Sequence, residues 1–201
     1  MGYSKEDKAA SHERILEIAS QEFKQRGMQG IGLAELMQKA GLTHGGFYKH
    51  FDSREAMVAE TVAHAFDEDE VRFASVIAKT RGDPIDVFID VYLSTKHREH
   101  LASSCCMSAL GAEIARASDE VRAAFTAQYL RRRAWVAAQL GGSQERASEH
   151  AANLMNAMIG SLTVARAIND PALSGEILAS SRAHLKTMAK AMQAELSGKR
   201  P

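Results

Sequence analysis

Three prolines in 201 residues supply little of the punctuation that an all-β or loop-rich fold needs. The two cysteines, Cys105 and Cys106, are adjacent, which excludes the cross-linked framework of a small secreted domain and makes a reducing cytosol the expected compartment. Net charge is absent as well: 25 basic side chains balance 25 acidic ones, so no whole-protein field draws the chain toward nucleic acid. Any such contact has to come from a local surface of the right shape. No stretch approaches the ~20 apolar residues of a membrane span, and no basic segment leads into an apolar run as in a secretory leader. Catalytic signatures are also missing. There is no phosphate-cradling glycine loop, no Gly-x-Ser-x-Gly elbow and no His-Glu-x-x-His helix, so no enzyme, cofactor or metal site is expected.

What is present is helical grammar. With 45% hydrophobic residues the chain can bury a real core. Residues 1–10 are polar without apolar periodicity and read as a mobile arm. Ile15, Ile18, Ala19 and Phe23 then recur at helical spacing up to Gly27, and Leu33, Leu36, Met37 and Ala40 define a short second helix ending at Gly41. Thr43 is placed to cap a third helix carrying Phe47 and Phe51. Asp52 and Glu55 resemble a capping box for a long fourth helix toward Ile77. Further helices are expected over 85–97, 104–117, 119–140, 144–168 and 174–196, giving nine helices and no sheet. The division this suggests is 1–52 and 53–201.

The segment from Ala40 to Phe51 carries the most information. Gly45 and Gly46 in the first turn of a short helix cost up to about 1 kcal/mol each relative to Ala, which calls for compensation. Close approach of the helix tip to a phosphate backbone would supply it, because bare amides can bind anionic oxygens. Phe47 and Phe51 share one face and should anchor the helix, leaving His44, Lys49 and the Tyr48 phenol to meet bases or phosphates. The basic residues of this region, Lys5, Lys8, Arg14, Lys24, Arg26, Lys39, Lys49 and Arg54, are nearly balanced by acidic ones.

From Arg14 to Met57 the sequence resembles the DNA-binding domain of the TetR family of bacterial repressors. The likeness runs through Ile15, Leu16, Ala19, Phe23, Gly27, Leu33, Leu36, Ala40, Gly41, Leu42, Thr43, Gly45, Phe47, Tyr48, His50, Phe51, Arg54 and Glu55. It implies an all-α, nine-helix TetR-like fold, with an N-terminal helix-turn-helix domain and a C-terminal helical bundle for ligand binding and dimerisation. It also implies DNA contacts from Thr43, His44, Gly45, Gly46, Tyr48, Lys49 and His50, with Arg54 near a phosphate. Gly32 and Ala34 depart from the family pattern, so the second helix would offer backbone amides rather than a capping side chain.

One short recognition helix reads only a few base pairs, so a homodimer on a near-palindromic operator is expected. Two apolar stripes are candidates for its interface: Met155, Met158, Ile159 and Leu162 on one helix, and Leu185, Met188 and Met192 on another. Packing inside the protomer is the alternative for both. Phe66, Phe73, Phe88, Tyr92, Cys106, Met107, Leu110, Tyr129 and Met158 have the chemistry of an effector pocket, or of an ordinary core. The cysteines fall near a helix start, where the dipole favours thiolate. A thiol-based electrophile or oxidant sensor, or a metal site with His97 and His100, is therefore a second reading. A helical enzyme or ligand carrier is a remoter one.

Overall fold

The computed structural model describes residues 5–141 and 144–198. Among them are nine α-helices, two 3-10 helices and no strand. The α-helices are α1 (Lys5–Arg26), α2 (Leu33–Lys39), α3 (Arg54–Lys79), α4 (Pro84–Tyr92), α5 (Thr95–Glu99), α6 (Cys106–Ile114), α7 (Asp119–Leu140), α8 (Gln144–Ala167) and α9 (Pro171–Leu196). The 3-10 helices span His44–Lys49 and Leu101–Ser103. The number of α-helices agrees with expectation only because two differences cancel.

One difference is the expected third helix, which is a 3-10 turn that closes before Phe51. The other is the expected helix over 85–97, which is two helices. Ser94 splits it by accepting from the His97 N–H at 3.1 Å while donating to the Val91 carbonyl at 2.8 Å, so its hydroxyl competes with helix continuation. Three starts also move. Residues 5–10 are not an arm but the first turns of α1, where Glu6 and Asp7 suit the positive end of the helix. Ser53, not Asp52, caps α3 by accepting from the Ala56 N–H at 2.9 Å. Asp170 caps α9 with Pro171 in its first turn, three residues before the expected start.

The chain divides into two compact units. One holds residues 1–69 and 101–128, the other 70–100 and 129–201. This grouping differs from the functional boundary drawn at 52/53.

In the first unit, Ile15, Ala19 and Phe23 of α1 are buried with Leu36, Met37, Phe47, Phe51, Met57 and Val62. Each large side chain contributes about 1.5–3 kcal/mol on burial. Gly41 ends α2 at φ +73 in a Schellman motif: its N–H meets the Gln38 carbonyl and that of Leu42 the Met37 carbonyl, both at 2.9 Å. That sharp exit places Thr43 at the head of the 3-10 turn. In the second unit, α8 and α9 pack along their length, and α4 packs on both.

Candidate nucleic-acid interface

The 3-10 turn is nailed down by one face and bare on the other. Phe47 is buried and lies 5.4 Å from the Phe51 ring, which is buried too. Thr43, His44, Gly45, Tyr48 and Lys49 are exposed, and Tyr48, at 69%, is among the most exposed large side chains. Its ring stands edge-on to Phe47 at 5.2 Å, so an aromatic body is held outward from a fixed base. Thr43 occupies the cap position but makes no side-chain cap bond; its carbonyl accepts from the Gly46 N–H at 2.9 Å instead.

Nothing among the described residues explains the two glycines. Neither has a positive φ. A Cβ at Gly45 would meet no atom within 4 Å, and one at Gly46 would make ordinary contacts with Thr43 Oγ1 at 3.6 Å and Met37 Cε at 3.9 Å. Alanine would fit both positions and favour the helical turn.

His50 is half-buried at the end of the turn. Burial, then the positive neighbours His12, Lys8 and Lys49, hold its imidazole below the ordinary histidine range, so it is neutral at pH 7. Its Nδ1 is buried and makes no hydrogen bond among the described residues. Arg54 is anchored within the protomer through one guanidinium nitrogen. Its Nη2 donates to the Met28 carbonyl at 2.7 Å and the Ile31 carbonyl at 3.3 Å, tying α3 to the turn between α1 and α2.

Most of the other basic residues are likewise committed. Lys24 is buried 3.6 Å from Glu68. Arg26 bridges Glu22 and Glu35, and Lys39 pairs with Glu22 at 2.8 Å; the Lys39 bond is the main reason the Glu22 carboxyl lies below its ordinary value. Arg14 reaches the Ala40 carbonyl at 3.4 Å. At α2, Gly32 stands at the cap position with no side-chain bond, as its lack of a hydroxyl dictates.

The expected effector residues fall in both units. Phe66, Cys106, Met107 and Leu110 are buried in the first, Phe73, Phe88, Tyr92 and Met158 in the second, where Tyr129 is half-buried with its hydroxyl 3.4 Å from Asn156 Oδ1. Phe73, Phe88 and Tyr92 form one aromatic cluster, with Phe73 and Phe88 5.0 Å apart and the Arg132 guanidinium 5.4 Å from the centre of the Phe73 ring. Arg132 is buried.

Most residues of the two expected dimer stripes are already buried within the protomer. Met155, Met158, Leu162, Leu185 and Met192 are buried within a single chain, and Ile159 and Met188 are half-exposed. The faces of α8 and α9 open to solvent carry Gly160, Thr163 and Val164 on one helix and Ala179, Ser180, Ala183 and Thr187 on the other.

The helix-start thiolate is corrected at Cys106. Cys105 occupies the cap of α6 and Cys106 its first position, but both are buried. Burial, reinforced by Cys105 and the Asp69 carboxylate, pushes the Cys106 thiol far above the ordinary range, which outweighs the helix dipole. His97 and His100 turn their Nδ1 atoms to the Tyr92 and Lys96 carbonyls at 2.7 and 2.9 Å. Among the described residues no three His, Cys, Asp or Glu gather as a metal site would require. No helix of those residues is long and apolar enough to cross a membrane.

Residues 15–61 match the family model of the bacterial regulatory proteins, tetR family. The HTH-type transcriptional repressor NemR of Escherichia coli strain K12 is 28% identical over 117 residues, 57% of this chain and 59% of NemR. The HTH-type transcriptional repressor KstR2 of Rhodococcus jostii strain RHA1 is 30% identical over 71 residues, 35% of each protein. The chain therefore aligns with no more than 59% of the length of these two curated relatives. In fold the likeness extends further. The crystal structure of reduced E. coli NemR superposes with a TM-score of 0.72 at 23% identity, covering 89% of this chain and 96% of that one. A TetR-family regulator from Agrobacterium tumefaciens superposes at 0.71 and 21% identity, covering 90% and 98%. The tetR-family model thus covers the helix-turn-helix segment, and the fold of such regulators extends along nine-tenths of the chain.

Proposed function

We propose that this chain is a cytoplasmic, homodimeric transcriptional regulator, a repressor that occupies a near-palindromic operator and leaves it when a small molecule binds residues 53–201. The observation that carries the reading is the pair Gly45 and Gly46. Among the described residues there is room for a Cβ at both, which favours a demand for glycine from a partner, beside an exposed tyrosine and lysine. A duplex lying flush on the turn is a partner that would impose it, with bare amides facing phosphate oxygens. Thr43, His44, Tyr48 and Lys49 supply the contacts, and Arg54 acts as a positioning residue. The repressor names of NemR and KstR2 support the same role.

Two recognition turns require two protomers, and the exposed small-residue faces of α8 and α9 suit close helix approach between copies. The effector is assigned to the aromatic interior around Phe73, Phe88 and Tyr92. Its release of DNA needs only differential affinity: a tenfold loss of operator binding corresponds to about 1.4 kcal/mol of coupling.

The test is a gel shift with the DNA directly upstream of the protein's own coding region. A salt-sensitive shifted band that is lost in Tyr48→Ala/Lys49→Ala is the expected result. A wild-type protein that shifts neither this DNA nor any other duplex at low salt overturns the reading.

A further inference from the structure

The first turns of α1, which lie before the family-matched segment, bring two lysines to the recognition turn. Lys5, Lys8 and His12 stand at i, i+3 and i+7 and so share one face of the helix, while Glu6 and Asp7 point away from it. That face is pinned in place: the His12 ring stacks on Phe51 at 4.5 Å and lies 5.9 Å from His50, and its Nε2 is 2.8 Å from Glu60 Oε2. Lys5 and Lys8 are thereby held at the rim of a cleft of 990 Å³ whose other walls include Thr43, Gly46, Tyr48 and Lys49.

Charge pairing sharpens the point. Lys24, Arg26 and Lys39 have carboxylate partners, while Arg14 and Arg54 each direct one Nη atom at backbone carbonyls and keep their charge. Lys5, Lys8 and Lys49 have no carboxylate within ion-pairing reach among the described residues, and all three line this one cleft. Of the five lysines of the N-terminal region, the three without a carboxylate partner gather at the mouth of the recognition turn. Three ammonium groups around a partly apolar cleft suit a polyanion whose charges repeat along a rigid backbone.

We infer that Lys5 and Lys8 form, with Lys49, a clamp for the phosphate backbone of the duplex, so that α1 is a second DNA-contacting element beside the recognition turn. This rests on the DNA-binding function proposed above and deepens it. The clamp contributes affinity without reading sequence, since phosphates carry no base information.

The experiment uses the full-length protein and a fluorescein-labelled 30-base-pair duplex of mixed sequence, with anisotropy titrations at salt concentrations from about 50 to 200 mM. Removing one lysine–phosphate pair reduces the slope of log affinity against log salt by about 0.9, so Lys5→Ala/Lys8→Ala is expected to flatten it by about 1.8 per protomer engaged. Lys5→Arg/Lys8→Arg, which keeps the charges, is expected to retain the wild-type slope. Both side chains are exposed at a helix N-terminus, where losing positive charge does not weaken the helix, and circular dichroism melts check that the fold is intact. Wild-type binding with a slope unchanged in Lys5→Ala/Lys8→Ala overturns the clamp and leaves the regulator standing. A wild-type protein that binds no duplex at the lowest salt overturns both.

Discussion

The backbone N–H of Met28 donates to the Glu113 carboxylate at 2.7 Å, joining residues 85 positions apart in sequence. The carbonyl of the same Met28 accepts from Arg54 at 2.7 Å, so the turn between α1 and α2 is gripped on one side by α6 and on the other by α3. Gly27 makes the grip possible. Its φ of +81 turns the chain, and a Cβ there would come within 2.9 Å of Glu113 Oε1. Glu113→Ala leaves a largely buried amide unsatisfied and is expected to cost about 1–3 kcal/mol, read from urea unfolding. Glu113→Gln keeps an acceptor and should lose less. Equal midpoints for wild type and Glu113→Ala would show that the bond contributes nothing.

Gly45→Ala separates stability from binding. The added methyl meets open space in the protomer and restricts the unfolded chain, so stability should stay level or rise by about 0.4–1 kcal/mol. Duplex affinity should fall about tenfold, or about 1.4 kcal/mol, as the methyl holds the amides off the phosphates. Thermal melts and anisotropy on one preparation measure both, and undiminished affinity would remove the main support for the regulator.

The recognition segment was legible because its signal is local: two glycines against helix propensity, flanked by Phe47, Tyr48 and Phe51. Helix stops at Gly27 and Gly41 were legible for the same reason, each adopting positive φ. The start of α1 was not, since Lys5, Lys8 and His12 carry its face and apolar periodicity is blind to them. Nor were the intramolecular partners of Arg54, the Met28 and Ile31 carbonyls more than twenty residues away. Periodicity did find the stripes of α8 and α9, but a stripe records that a face is covered and not by what. Here each helix is covered largely by the other, and the faces left open are too small-residued to register as hydrophobic.

Association is expected to depend on those open faces. Val164 on α8 is 51% exposed in the single protomer, so Val164→Arg should fold normally and sediment as a monomer. Met158→Ala should do the reverse. Its side chain is buried within the protomer, and its truncation should cost about 2–5 kcal/mol of stability. Analytical ultracentrifugation with urea unfolding distinguishes the two; a dimeric Val164→Arg protein would move the interface elsewhere.

Stability should also carry a pH signature from the α1–α3 contact. His64 Nδ1 lies 3.2 Å from Glu13 Oε1 and its Nε2 3.5 Å from Glu68 Oε1, while Glu68 Oε2 accepts from Ser20 at 2.8 Å and faces the buried Lys24. Glu68 is the main cause holding His64 above its ordinary value of 6.5; burial opposes it and Glu13 adds to it. Burial alone would lift Glu68, but His64, Ser20 and Lys24 together outweigh it and keep the carboxyl below 4.5. A histidine with a raised pKa stabilises fully below its unfolded value, and the contribution fades as pH climbs through the folded value. The carboxylate works in the opposite sense, contributing above 4.5 and failing as acid reaches its lowered pKa. The contact is therefore strongest between pH 4.5 and 6.5, where both groups are charged. His64→Gln should remove the alkaline decline, so its melting temperature should approach that of wild type as pH rises toward about 9 and fall short of it near pH 5.5. Melting curves that stay parallel across that range would mean that the imidazole gains nothing from its two carboxylates.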